Sequence, residues 1–153
     1  MAEYTYNPIQ LVQPNQQVLL NTTIGCPKGY VVHRNGSGIV TLRGIVNNPC
    51  STFARYQVTF NGNIGLPTGA TVTPISIALA IDGEPVLTSK AIFTPADADE
   101  YGNVTSTAII TVPSGCCDNI TVENTSDIPT TPAGANAPAI NVQNANLVVS
   151  RIA

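Results

Sequence analysis

The chain has no tryptophan, a single histidine, and only six basic and nine acidic residues among 153. Each shortage removes a class of function. With His33 as the sole imidazole, a metal-binding barrel that needs several inward-facing His and Glu ligands cannot be assembled. The basic residues Lys28, Arg34, Arg43, Arg55, Lys90 and Arg151 are scattered rather than striped, so no nucleic-acid partner is expected. No apolar run approaches the roughly 18 residues that span a bilayer, so no membrane is expected either. The first residues, MAEYTYNPIQ, lack a basic start and an apolar stretch. The expectation is a protein made and folded in cytoplasm, where thiols usually stay reduced. No phosphate-binding loop, dinucleotide fingerprint or G-x-S-x-G elbow occurs, so no catalytic residue and no cofactor is assigned. The chain does not read as an enzyme.

What replaces the missing charge is Asn, Thr, Gln and Ser. Thr fits a pleated strand better than Lys or Glu does, and a neutral hydroxyl costs less to cover than an ion. Alternation runs through the whole sequence. In FARYQVTF (53–60), Ala54, Tyr56, Val58 and Phe60 share one face and Arg55, Gln57 and Thr59 the other. QVLLNTTI, GYVVHR, GIVTLRG, ISIALAID, VLTSKAIF, NVTSTAIITV, DNITVENT and INVQNANLVVSRI complete about nine strand candidates. Turn chemistry separates them, with Asp82-Gly83 the plainest hairpin signal. The pattern predicts an all-β fold, a jelly-roll sandwich of about 8–10 antiparallel strands occupying residues 16–153. Five N-x-S/T sequons, at Asn21, Asn35, Asn103, Asn119 and Asn124, are read as a product of composition.

Residues 1–15 stand apart from that pattern. Pro8 and Pro14 resist regular structure, yet Tyr4, Tyr6, Ile9, Leu11 and Val12 make the segment too apolar to be idle. It reads as an extended arm, packed either along its own domain or on a partner. Two strands also carry a second message. Opposite the large residues of ISIALAI lie Ser76, Ala78 and Ala80, small enough for close cover by a loop or another subunit. In the last strand Ile140 and Val142 match in phase, whereas Leu147 and Val149 fall on the other parity. That predicts a bulge near Gln143-Asn144 or burial of both faces. The acids of TPADADEYGN lack the order of a calcium loop, and Thr94 and Pro95 suggest a helical turn.

If consecutive strands alternate in direction, the connections holding Cys26, Cys50, Cys116 and Cys117 all fall at one end of the sandwich. His33 falls at the other, which argues against a Cys–His pair and for a hydrogen-bonded structural histidine. The four thiols could be free. Alternatively, Cys26 or Cys50 could bridge to one of the turn cysteines, or the cluster could hold a thiophilic metal. A bridge between Cys116 and Cys117 themselves is disfavoured by the Cα separation that a disulfide wants.

The phrases CPKGYVVHRNGSGIVTLRG (26–44), AIDGEPV (80–86), VPSGCCDNITVENTS (112–126) and INVQNANLVVSRIA (140–153) resemble small virion accessory proteins of phages and prophages of gut bacteria, of the capsid-decoration or head-fibre kind. The resemblance covers most of residues 8–153. It implies a jelly roll similar to the tumour-necrosis-factor fold and a homotrimer with the C-terminal strand near the threefold axis. It also implies docking on a phage capsid or another virion protein, hence a place in the virion. Under that implication Ser76, Ala78, Ala80, Leu147 and Val149 are the trimer-interface candidates, the arm is the anchor, and one cysteine per subunit could meet on the axis. The competing expectation is a glycan- or receptor-binding head, for which Tyr30 and Tyr101 are the available aromatics. A cell-surface or spore-coat structural role is a third, without a stalk or sorting signal to support it.

Overall fold

The computed structural model describes residues 1–25, 29–129 and 135–153. Its strands are β1 (Ala2–Tyr6), β2 (Gln10–Val12), β3 (Thr22–Ile24), β4 (Val31–His33), β5 (Val40–Arg43) and β6 (Phe53–Gly65). They are followed by β7 (Ile75–Ile81), β8 (Glu84–Pro85), β9 (Ala91–Phe93), β10 (Tyr101–Pro113), β11 (Cys117–Asn124) and β12 (Ile140–Arg151). Among the described residues no helix is long and apolar enough to cross a membrane.

Two antiparallel sheets result. The first runs β10-β6-β12-β1-β3 with β2 also on β12; the second runs β4-β5-β11-β7-β8 with β9 also on β7. The inward set of FARYQVTF is the one the alternation selects: Ala54, Tyr56, Val58 and Phe60 are buried, and the ladder to β10 continues without a break from Phe53↔Pro113 to Gly65↔Tyr101. Facing them are Leu42, Ile75, Ile77, Leu79 and Ile120 of the second sheet. Burying such side chains, at about 1.5–3 kcal/mol each, is what holds the sheets together.

The phase change in the last strand is a β-bulge. The register of β12 on β6 shifts between Gln143 and Asn146, and Asn144 takes a φ of 54°. Ile140 and Val142 before it, and Ala145, Leu147 and Val149 after it, thereby all reach the core.

The N-terminal segment is not an arm outside the sandwich. Residues 2–6 pair with β12 at 145–149, and residues 10–12 pair with β12 at 140–142, so the segment is one interrupted strand running along β12. Tyr4 and Val12 are buried in the core, Tyr6 packs against it, and only Ile9 and Leu11 remain exposed. Pro8 is accommodated because it falls in the gap between the two pairings, where Asn144 N–H reaches Asn7 O at 3.2 Å.

Two further expectations are corrected. VLTSKAIF is not one strand: a 3₁₀ turn occupies Leu87–Ser89, where Ser89 Oγ donates to Val86 O and accepts from Leu79 N–H. The stretch after β9 is a turn rather than a helical start. Thr94 caps nothing there; Glu100 reaches back to accept from the N–H groups of Ala96 and Asp97, at 2.9 and 3.2 Å.

Candidate interaction surfaces

The end of the sandwich that carries the thiols is built from two corners where the chain crosses between sheets. Residues 44–52 lead from β5 to β6, and the turn at 113–116 leads from β10 to β11. The corners are bonded backbone to backbone: Gly44 N–H to Cys116 O at 2.8 Å, Gly115 N–H to Gly44 O at 2.9 Å, and Ser114 N–H to Thr52 O at 2.8 Å. Cys50, Cys116 and Cys117 lie here, all exposed with free thiols. Cys26 lies outside the described residues. Among those described, no group of three or more His, Cys, Asp or Glu residues is placed to hold a metal ion.

Behind the corners, Tyr56 donates its hydroxyl hydrogen to Arg43 O at 2.6 Å, with Tyr30 O at 3.2 Å. The Arg151 guanidinium lies 4.3 Å over the Tyr30 ring. That covers one face of an aromatic a sugar would need. Tyr101, the other candidate, lies against Gly65, where a methyl group would meet its ring at 3.2 Å. At the opposite end His33 places Nε2 3.0 Å from Ser37 O and Nδ1 3.4 Å from Thr23 Oγ1, with its ring 4.6 Å from that of Tyr4. It is a structural histidine, as its isolation implies. Asn124 is fully buried, its amide donating to Val12 O and Pro138 O, so that sequon cannot carry a glycan.

The two buried tyrosines give a contrasting pair of expectations. Tyr4 has no hydrogen-bond partner for its hydroxyl among the described residues, and burial pushes its pKa up to about 12. Tyr4→Phe should therefore leave stability unchanged or raise it by about 1 kcal/mol, whereas Tyr56→Phe should cost about 1 kcal/mol by removing the hydroxyl's bond to the part-buried Arg43 carbonyl. The Tyr4 phenol is held neutral in the fold. Its contribution is complete below the unfolded value near pH 10 and is lost as pH rises towards about 12, so Tyr4→Phe should flatten the alkaline limb of a stability profile. Urea melts between pH 7 and 12 would check both statements.

A cleft of about 350 Å³ lies beside β7 and β9, lined by Val72, Pro74, Ser76, Lys90, Ile92 and Ile128. Its one cation is occupied: Lys90 pairs with Asp127 at 3.0 Å, the only ion pair among the described residues. The small residues Ser76, Ala78 and Ala80 are buried within the single chain, and Ser76 is tied to Thr125 and Ser126 by hydrogen bonds. Leu147 and Val149 are core residues. None of the five trimer-interface candidates is therefore free to meet another subunit.

The surface that is free is the outer face of the first sheet, which sequence reasoning passed over. Thr59 meets Thr107 at 3.0 Å, Asn61 donates to Thr105 at 3.3 Å, and Asn103 donates to Asn61 and Asn63 at 2.8 and 3.2 Å. Asn63 continues the row to Asn144 at 3.3 Å. Its apolar members include Ile109, 66% exposed, the exposed Leu11, Ile24 and Phe53, and the half-buried Val148. Among the described residues, only Glu3, bonded to Asn146, and Arg55, 4.6 Å over the Phe53 ring, bring charge to it. The signal was present in the polar half of the alternation, which reads as ordinary solvent exposure until the strands are placed side by side.

No protein-family model and no curated protein sequence matches this chain. Solved structures do. The globular domain of the zebrafish complement 1qA protein matches over 96% of this chain and 94% of its own, with TM-score 0.55 and 15% identity. The Eiger TNF of S. frugiperda matches over 100% and 92%, with TM-score 0.62 and 13% identity. At such identities the likeness is one of fold, and the fold is the antiparallel two-sheet jelly roll of the complement-1q and tumour-necrosis-factor type.

Proposed function

We propose that this chain is a non-enzymatic jelly-roll binding module that works as a homotrimer, assembled through the outer face of the β10-β6-β12-β1-β3 sheet. The observation that carries the reading is the Thr/Asn network on that face. Its polar groups already bond to one another within the sheet, so covering them orphans few donors, and covering neutral groups avoids the cost of burying ions. The likeness of fold to the complement-1q and tumour-necrosis-factor domains supports the trimer as the oligomer to test first.

The resemblance to phage virion accessory proteins supports a place on the outside of a virion, bound to a shell protein or fibre. Three equivalent contacts on one trimer would act together, so each could be weak. Because residues 2–6 and 10–12 belong to the sheet, that docking has no free arm to rely on. Co-sedimentation with purified capsids is the measurement for this step.

For the assembly itself, native mass spectrometry of the full chain should give three copies. Thr107→Arg, which sets a charge in the middle of the network, should weaken association about 100-fold or more. Thr41→Arg, on the outer face of the other sheet, should leave it intact. A monomeric wild-type protein, or a trimer indifferent to Thr107→Arg but lost with Thr41→Arg, would overturn the assignment.

A further inference from the structure

We infer that Cys50 and Cys116 form an intrachain disulfide when the folded protein meets an oxidised small-molecule thiol, stapling the two corners that join the sheets. The register of β6 on β10 sets residue 53 opposite 113, and the Ser114 N–H bond to Thr52 O carries it one step further, to 52 opposite 114. The point at which Cys50 would stand opposite Cys116 lies two steps beyond, and both chains turn away before it, so the two thiols sit on adjacent turns rather than on opposed rungs. A disulfide needs Cα atoms about 4.4–6.8 Å apart, and each cysteine is only two residues from the opposed pair Thr52 and Ser114, so movement of the two turns can bring them within that span.

Both strand ends curl just before that point. Ser51 N–H bonds to Asn48 O and Cys116 N–H to Pro113 O, which leaves the two thiols on exposed turns. Yet the loop bearing Cys50 has both feet bonded to the turn bearing Cys116, at Gly44 and at Thr52. Closure therefore asks exposed turn residues to shift while the strands stay in place. Cys117 is the poorer partner. It is already the first residue of β11, paired with Arg43, and its backbone is held in the ladder.

The chemistry is thiol–disulfide exchange. One protein thiolate attacks the small disulfide and releases a first small thiol. The second protein thiolate then attacks that mixed disulfide and releases another. The two electrons and two protons lost by Cys50 and Cys116 end on the two small thiols. The closed bridge would join residues far apart in sequence, so its effect on the unfolded chain would be large.

The full-length protein should be incubated with oxidised glutathione, alkylated, and analysed by intact mass and peptide mapping. Wild type and Cys117→Ser should each lose two alkylation sites and yield a crosslinked peptide containing Cys50 and Cys116. Cys50→Ser and Cys116→Ser should yield no such peptide. The oxidised wild type should melt about 5–15 °C above its reduced form, a gap that Cys50→Ser removes. A bridge mapped through Cys117 or Cys26, a crosslink between chains, or complete alkylation of all four thiols after prolonged oxidation would overturn the assignment. The mapping of wild type alone decides among these, so the test stands even if a variant folds poorly.

Discussion

Gly44→Ala should cost about 4 kcal/mol or more and bring the domain close to unfolding at physiological temperature, although it adds one methyl group. The Cβ of an alanine at this position would lie 1.9 Å from Pro113 O, 2.9 Å from the Pro113 carbonyl carbon and 3.1 Å from Cys116 O. All three are backbone atoms, so no rotamer change relieves the clash. Moving the backbone away breaks the hydrogen bonds that Gly44 makes to Gly115 and Cys116, which tie the two inter-sheet corners together. Gly36→Ala is the control. Gly36 has a φ of 82° but open space around its Cβ position, so only the conformational penalty of about 1 kcal/mol applies. Thermal melts of the two variants should differ by roughly 10 °C; equal losses would mean that the corners separate freely and that Gly44 has no packing role.

Phe60→Ala should cost about 3–5 kcal/mol. Phe60 is fully buried, opposite Leu147 on one neighbouring strand and Ser106 on the other. Its ring lies over Gly62, where an added Cβ would meet Cζ at 2.9 Å. Gly62→Ala alone should therefore be destabilising. The same change made in the Phe60→Ala background should cost little, because the ring it strikes is gone. A double-mutant cycle in urea measures that coupling, expected at about 1 kcal/mol or more. Phe53→Ala, at the exposed start of the same strand, should cost less than about 1 kcal/mol.

How far the sequence reveals this fold depends on whether a residue's partner lies in its own neighbourhood. FARYQVTF discloses its core face by alternation alone, and the parity switch between Val142 and Leu147 locates the bulge within two residues. The N-terminal segment lies along its own domain, one of its two expected placements, but its membership of the sheet is hidden because its prolines look like breakers. They are tolerated because Pro8 falls where β12 bulges, a fact held by a strand more than 130 residues away. Ser76, Ala78 and Ala80 do report close cover, as their size implies, but the cover comes from within the chain. The Thr/Asn network is illegible for the opposite reason. Each member is an unremarkable polar strand residue, and only the register of β6 on β10 lines Thr59 up with Thr107 and Asn61 with Thr105.

The bulge in β12 acts as a phase corrector for the whole first sheet. The N-terminal strand meets β12 in two pieces whose registers differ by one residue, and the slack at residues 7–9 lies opposite the extra residue near Asn144. Residues 2–12 thus run beside residues 140–149, eleven residues against ten, with the odd one taken up at the slack. Losing a single residue from 143–145 would make the ladder of β12 on β6 continuous with every core side chain still inward, but would leave two extra residues in the N-terminal strand opposite it. A change of length in the first dozen residues or the last dozen therefore falls on one shared place, the slack at residues 7–9 and the bulge opposite it.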